Sequence, residues 1–235
     1  FGIHTRTLFH PGFLKFSTLI KACIFDLDGV IVDTAGYDYL AWKRLAKEIG
    51  IELTKADNER LKGVSRIRSL EIILELGGVT MNDHDKEALA DKKNNWFVDY
   101  LKQMSPDEIY PGVKTLISQL RRNGVKVALA SSSKNARTVI ELLKIQHDFD
   151  AVVDGGMIVH SKPNPEIFLL AAKMMGIDPK ECLVFEDAEA GVDAALAAGM
   201  KCVGVGSAAQ LGHAHKVIAK TGNFKLQDLE ELSKN

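Results

Sequence analysis

The chain has 235 residues, a length that suits one medium domain or a core domain carrying a smaller insert. Hydrophobic residues make up 46%, charged residues 26%, and the formal net charge is −1, with the basic residues scattered. That balance argues against a nucleic-acid or membrane-surface binder, and no apolar run approaches the ~18–20 residues of a membrane span. The expected class is a cytoplasmic, monomeric protein acting on a small molecule, with no nucleic-acid or membrane partner. Cys23, Cys182 and Cys202 are odd in number and widely spaced. Disulfide and zinc frameworks are therefore not expected, and buried reduced thiols are.

Residues 1–19 contain no acid and several Phe around Pro11-Gly12, and lack a clean secretory pattern. They are expected to be an N-terminal extension outside the fold, somewhat like a transit peptide in composition, with an added leader or a frayed extension as the equal alternatives. Ile20 to Phe25 then reads as a buried parallel strand that ends in Asp26-Leu27-Asp28-Gly29. Helical spacing follows over 37–49, near 67–76 and over 85–103, with no good strand between 33 and 109. After Tyr110-Pro111-Gly112 the pattern alternates. A helix from Val113 ends at Asn123-Gly124, and a strand Val125–Ala130 runs into Ser131-Ser132-Ser133. A helix over about 135–145, a short strand Ala151–Val153 and a helix Glu166–Met175 come next. A strand Cys182–Phe185 ends in Glu186-Asp187, a helix covers about 190–198, and a strand spans Cys202–Val205. The tail, 211–235, reads as polar with helical spells. Strands alternating with helices imply a doubly wound α/β parallel-sheet core, Rossmann-like, over 20–32 and 110–235. Residues 33–109 are the expected inserted helical cap.

Ligands of open α/β sheets bind at the carboxyl ends of the strands. Three strands here end in polar side chains: Asp26 and Asp28, then Ser131–Ser133, then Glu186 and Asp187. Lys162 sits in the loop before the helix at Glu166. Each piece alone admits a bland reading as a turn, a polar loop or a solvated helix start. The ordered set at one sheet edge carries the argument. Converging carboxylates repel, and a hard divalent cation, Mg²⁺, resolves that with oxygen ligands. Asp26 is then placed to attack phosphorus and form an aspartyl phosphate. Asp28 serves as general acid and base on the leaving oxygen, Lys162 neutralises the phosphoryl group, and Ser131 donates a hydroxyl to it.

These segments, Phe25-Asp26-Leu27-Asp28-Gly29-Val30, Ala130-Ser131-Ser132-Ser133, Lys162-Pro163 and Glu186-Asp187, closely resemble the motifs of the haloacid-dehalogenase-like phosphotransferases (HAD superfamily). Within that superfamily the chain looks most like the β-phosphoglucomutase subfamily. Asp33-Thr34, Ala41-Trp42-Lys43, Leu61–Arg66, Lys92-Lys93-Asn94 and Ser131–Asn135 carry that likeness. The resemblance implies metal ligation by Asp26, Asp28 (through its backbone carbonyl), Glu186 and Asp187. It implies sugar-phosphate binding by Thr34, Trp42, Gly63, Val64, Arg66 and Lys93 of the insert, and by Ser132, Ser133, Lys134 and Asn135 of the core. Spacing alone reads Trp42, Trp96 and Tyr37 as packing residues. The implied reaction interconverts β-glucose 1-phosphate and glucose 6-phosphate, with glucose 1,6-bisphosphate as intermediate and activator. Thr34 and Tyr110 are hinge candidates at the two crossings between core and insert.

One departure stands at Asp38, where related mutases often carry His. An ionised carboxylate cannot donate a hydrogen bond, so a lowered mutase rate relative to phosphate release is expected. A sugar-phosphate phosphatase using the same nucleophile is the alternative. A non-catalytic sugar-phosphate sensor is a third reading, against which the intact set Asp26, Asp28, Lys162, Glu186 and Asp187 argues.

Overall fold

The computed structural model describes residues 19–61 and 64–234. The expectations for the first 19 residues therefore lie almost wholly outside the described residues, as does that for Gly63.

Strand β1, Ala22–Phe25, is buried along its whole length, as an unbroken apolar run in a covered sheet must be. Four helices make up the segment that follows: α1 (Ala35–Glu48), α2 (Lys55–Asn58), α3 (Arg66–Gly77) and α4 (Asp83–Leu101). The side chain of Ser65 caps α3 by accepting from the Arg68 N–H, and that of Asn82 caps α4 by accepting from the Asp85 N–H. Asp83 and Asp85 in the first turn of α4 suit the positive end of its dipole.

The alternating part then runs α5 (Val113–Arg122), β2 (Lys126–Ala130), α6 (Ala136–Leu142), β3 (Ala151–Val153), α7 (Glu166–Met175), β4 (Cys182–Glu186), α8 (Glu189–Ala197) and β5 (Lys201–Val205). It closes with α9 (Ala208–Leu211), β6 (Lys216–Ile218) and α10 (Leu226–Lys234). The six strands form one sheet in the order β3-β2-β1-β4-β5-β6, and every pair is parallel. Strand order reverses at β1, between β2 and β4, so the crevice of a doubly wound sheet opens at the carboxyl end of β1.

Two apolar layers flank the sheet. Cys23 and Phe25 point into one with Leu116, Ile117 and Phe224. Ala22 and Ile24 point into the other with Ile167, Phe168 and Val192. Phe25 stacks on Phe185 with centroids 4.5 Å apart, and Phe224 meets Phe185 edge-on at 4.9 Å. Such pairs add about 0.5–1.5 kcal/mol each beyond their burial. A third cluster, with Trp42, Leu45, Leu70 and Ile73, belongs to the helices between β1 and β2. The three cysteines are buried and free. Among the described residues no helix is long and apolar enough to cross a membrane.

The tail differs from expectation. It contributes β6, which pairs with Val203–Val205 of β5. Lys216-Val217-Ile218 is too short to display a two-residue period, and only the waiting edge of β5 makes it a strand.

Candidate active site

The carboxyl ends of β1, β2 and β4 lie side by side, which brings their polar termini to one place. Asp26 follows β1 directly, and its N–H donates to the Phe185 carbonyl at 3.0 Å, continuing the ladder one residue beyond the strand. The chain then turns back on itself: the Gly29 N–H donates to the Val32 carbonyl at 2.8 Å and the Ile31 N–H to the Leu27 carbonyl at 2.9 Å. Gly29 makes this possible. Its φ is +75°, and a Cβ there would lie 1.9 Å from Oδ2 of Asp187.

Lys162 reaches in from the loop before α7. Its Nζ donates to Oδ1 of Asp26 at 2.6 Å and to Oε2 of Glu186 at 2.7 Å. Burial works against the Lys162 charge, but the two carboxylates outweigh it and hold the ammonium above the usual lysine range. Glu186 is 1% exposed at the end of β4. Burial pushes its carboxyl up, Lys162 pulls it down, and Asp26 adds to the upward push. Gly191 of α8 permits this placement, since a Cβ there would lie 2.0 Å from the Glu186 carboxyl carbon.

Asp26, Glu186 and Asp187 each present a carboxylate oxygen within 4.8 Å of the others. Burial and the Asp26 charge push the Asp187 carboxyl up to about 6. A three-carboxylate, all-oxygen set is the donor chemistry of a hard divalent cation such as Mg²⁺. The Asp28 side chain is not part of the cluster. Its Oδ1 accepts from the Thr34 N–H at 3.2 Å and from the Thr34 hydroxyl. Burial pushes the Asp28 carboxyl up to about 7. Thr34 holds it back in part, while Asp26 and Asp187 push the same way as burial. Such a group is protonated for a large fraction of the time near neutral pH and can donate.

The sign of these shifts sets a testable pH dependence. Protons and a divalent cation compete for the same carboxylates, so the cation binds more tightly as pH rises. Magnesium at millimolar concentration should raise the melting temperature over an EDTA control more at pH 8 than at pH 5.5. Scanning calorimetry at the two pH values measures it, and an equal shift at both would remove the coupling.

The Ser131–Ser133 loop stands beside this cluster. Ser131 is 2% exposed; its N–H donates to the Val153 carbonyl at 3.0 Å, and its hydroxyl oxygen accepts from the Ser133 N–H at 3.2 Å. Ser132 and Lys134 are exposed, and the Ser133 hydroxyl oxygen accepts from the Asn135 N–H at 3.2 Å.

Of the insert residues singled out in sequence, Arg66 begins α3 and reaches Asn94 of α4, donating to its Oδ1 at 2.9 Å. The core residue Asn135 donates from Nδ2 to that same oxygen at 2.9 Å. Insert and core are thus joined at the point where Arg66 and Asn135 come together. Asn94 stands in the Lys92-Lys93-Asn94 stretch of the resemblance, but the sequence does not mark it as a site residue. Val64 is exposed. Trp42 is 1% exposed inside the helical cluster, and the Lys93 ammonium lies 4.4 Å from its ring centroid. At the crossings, the Tyr37 hydroxyl donates to Glu108 at 2.8 Å, and the Tyr110 N–H donates to the Ile31 carbonyl at 2.9 Å.

Asp38 does not stand free on its helix. Its Oδ1 accepts from the Lys93 ammonium, which also faces the Phe97 ring at 4.9 Å. Burial lowers the Lys93 pKa, opposed by Asp38. Asp38→Asn should cost about 1–2 kcal/mol in urea denaturation. That is below the ~3–5 kcal/mol of a fully buried pair, because the Asp38 side chain is 40% exposed. A loss under a few tenths would show that Lys93 does not depend on this carboxylate.

Comparison with known proteins adds an independent line. The model of the haloacid dehalogenase-like hydrolase family matches residues 20–199. The β-phosphoglucomutase of Bacillus subtilis is 43% identical over 214 residues, covering 90% of this chain and 95% of that protein. The fructose-1-phosphate phosphatase YqaB of Escherichia coli is 35% identical over 184 residues, covering 77% and 94% respectively. Among solved structures, a β-phosphoglucomutase from Clostridium difficile superimposes with a TM-score of 0.85 at 41% identity, covering 92% of this chain and 97% of that one.

Proposed function

We propose that this chain, which belongs to the haloacid dehalogenase-like hydrolase family, is a β-phosphoglucomutase that interconverts β-D-glucose 1-phosphate and D-glucose 6-phosphate through an aspartyl phosphate. The observation that carries the reading is the pairing of two anion-binding sets. One is Lys162 with the strand-end carboxylates of the core. The other is Arg66 of the insert and Asn135 of the core, converging on one point. A substrate with two phosphates needs both, whereas simple hydrolysis of a monophosphate needs only the first.

The nucleophile is Asp26. Its free carboxylate oxygen forms a bond to phosphorus as the bond from phosphorus to the sugar oxygen breaks. Asp28, protonated, gives its proton to that departing oxygen. As a base it later removes the proton from the sugar hydroxyl that attacks the phosphoaspartate. Starting from glucose 1,6-bisphosphate, the first half leaves a phosphorylated Asp26. The phosphoryl group then passes to the 6-hydroxyl of β-glucose 1-phosphate, and the bisphosphate so formed returns its C1 phosphate to Asp26 as glucose 6-phosphate leaves. Lys162 neutralises charge on the phosphoryl oxygens, and Ser131, at the end of β2, is positioned to donate to them. Asp26, Glu186, Asp187 and the Asp28 carbonyl would hold Mg²⁺, which would supply Lewis-acid screening of the phosphoryl charge. Arg66 and Asn135, with Ser132, Ser133 and Lys134, hold the phosphate that is not being transferred, a role suited to the guanidinium fork. Thr34 orients Asp28 from the start of the insert. Residues 33–109 act as a cap that closes over the core to exclude water.

The test is incubation with Mg²⁺, β-glucose 1-phosphate and a trace of glucose 1,6-bisphosphate, following glucose 6-phosphate and free phosphate together. Glucose 6-phosphate in large excess, dependent on the bisphosphate, is the expected result. The relationship to a fructose-1-phosphate phosphatase favours hydrolysis as the second reading, and free phosphate alone would establish it.

A further inference from the structure

The bridge between insert and core turns on a single atom. Oδ1 of Asn94 accepts from Nη2 of Arg66 at 2.9 Å and from Nδ2 of Asn135 at 2.9 Å. An amide oxygen has two lone pairs, so both are in use. The donors come from distant parts of the chain: Arg66 opens α3 and Asn135 immediately precedes α6, while Asn94 lies mid-way along α4. Arg66 has a second, looser contact, from Nη1 to Asp91 at 3.5 Å, but the Asp91 side chain is 79% exposed and screened by water.

The chemistry of this acceptor matters. Asn94 offers an oxygen without a charge. It satisfies a guanidinium and an amide donor, yet it leaves the positive charge of Arg66 unneutralised. A phosphate oxygen in the same place makes charge-assisted hydrogen bonds, about twice as strong as neutral ones, and so displaces the amide. Until then the two donors stay aimed at one point, which lowers the ordering cost of binding. A carboxylate at position 94 would do the opposite, forming an ion pair with Arg66 and competing with the ligand.

We infer that Asn94 is a positioning residue: it holds Arg66 and Asn135 on a shared neutral acceptor, and yields them to the phosphate of the substrate that is not being transferred. This rests on the reading above that Arg66 and Asn135 meet that phosphate.

The experiment compares Asn94→Asp and Asn94→Ala with wild type in steady-state kinetics of the full chain with Mg²⁺. Asn94→Asp should raise KM for β-glucose 1-phosphate about tenfold or more, with kcat within about twofold, as expected when a ground-state anion site is blocked. Asn94→Ala, which releases the donors without adding a charge, should raise KM by a smaller factor of about three to ten. A merely structural role would lower the active fraction, and with it kcat, and leave KM unmoved. Unchanged KM in Asn94→Asp overturns the inference whatever happens to kcat. Should Asn94→Asp fail to fold, the KM of Asn94→Ala decides in its place. The wild-type control separates the two claims. If wild type releases only free phosphate, the mutase reading falls, and the same KM ratios measured on hydrolysis of glucose 1,6-bisphosphate still decide the part played by Asn94.

Discussion

Asp26→Asn should abolish turnover, lowering kcat by about 10⁴-fold or more, the scale on which nucleophiles are lost. The amide is not a competent nucleophile, and the Asp28 carboxyl two residues on is engaged by Thr34 instead. The variant should remain folded, because Lys162 keeps Glu186 at 2.7 Å and one negative charge leaves a crowded cluster. Its apo form should therefore melt no lower than wild type. Loss of activity with an unchanged melting curve identifies the nucleophile. Full activity would remove Asp26 from the mechanism, and loss accompanied by unfolding would make it a structural residue.

Lys162→Met should fail for a different reason. It removes the only cation in direct contact with both Asp26 and Glu186 among the described residues, at 2.6 and 2.7 Å. Breaking a buried pair by deleting one partner costs about 3–5 kcal/mol, because the stranded charges stay in a poor dielectric. Activity should fall about 10²–10³-fold, as when one preorganised electrostatic contact to a transition state is removed. The pH dependence has a definite sign. In the variant the folded-state pKa of Glu186, already raised by burial, loses its largest opposing influence. A carboxyl raised above its unfolded value binds more protons when folded, so stability recovers as pH falls and drops as pH rises. Urea denaturation between pH 5.5 and 8 should show that trend in Lys162→Met. A flat profile would place the Lys162 contribution elsewhere.

The site cluster was legible in sequence because its members end strands or sit in loops beside them. In a parallel sheet those ends share one edge, so Asp26, Asp28, Ser131, Glu186 and Asp187 could be brought together without coordinates. Lys162 could be placed in its loop, but not that it spans Asp26 and Glu186. The insert was harder. Asn94 is an ordinary helix residue by period and type, and its two partners lie 28 and 41 positions away. Asp38 read as a departure from a family pattern. That it pairs with Lys93, 55 residues on, depends on how α1 packs against α4, which periodicity does not specify. Trp42 shows the same limit in reverse: a resemblance aimed it at substrate, and the packing of the helices buries it. The resemblance makes Thr34 a hinge and substrate position, and its hydrogen bonds link the start of the insert directly to Asp28, the proposed acid/base.

The central claim is that phosphate passes through Asp26 and on to a sugar. Rapid quench after mixing with isotopically labelled glucose 1,6-bisphosphate, with peptide mass spectrometry, addresses it most directly. The account predicts label on the peptide containing Asp26, lost when unlabelled β-glucose 1-phosphate is added and recovered in sugar phosphate. Label that never reaches Asp26, or that leaves it only as free phosphate in the presence of the sugar, would contradict it.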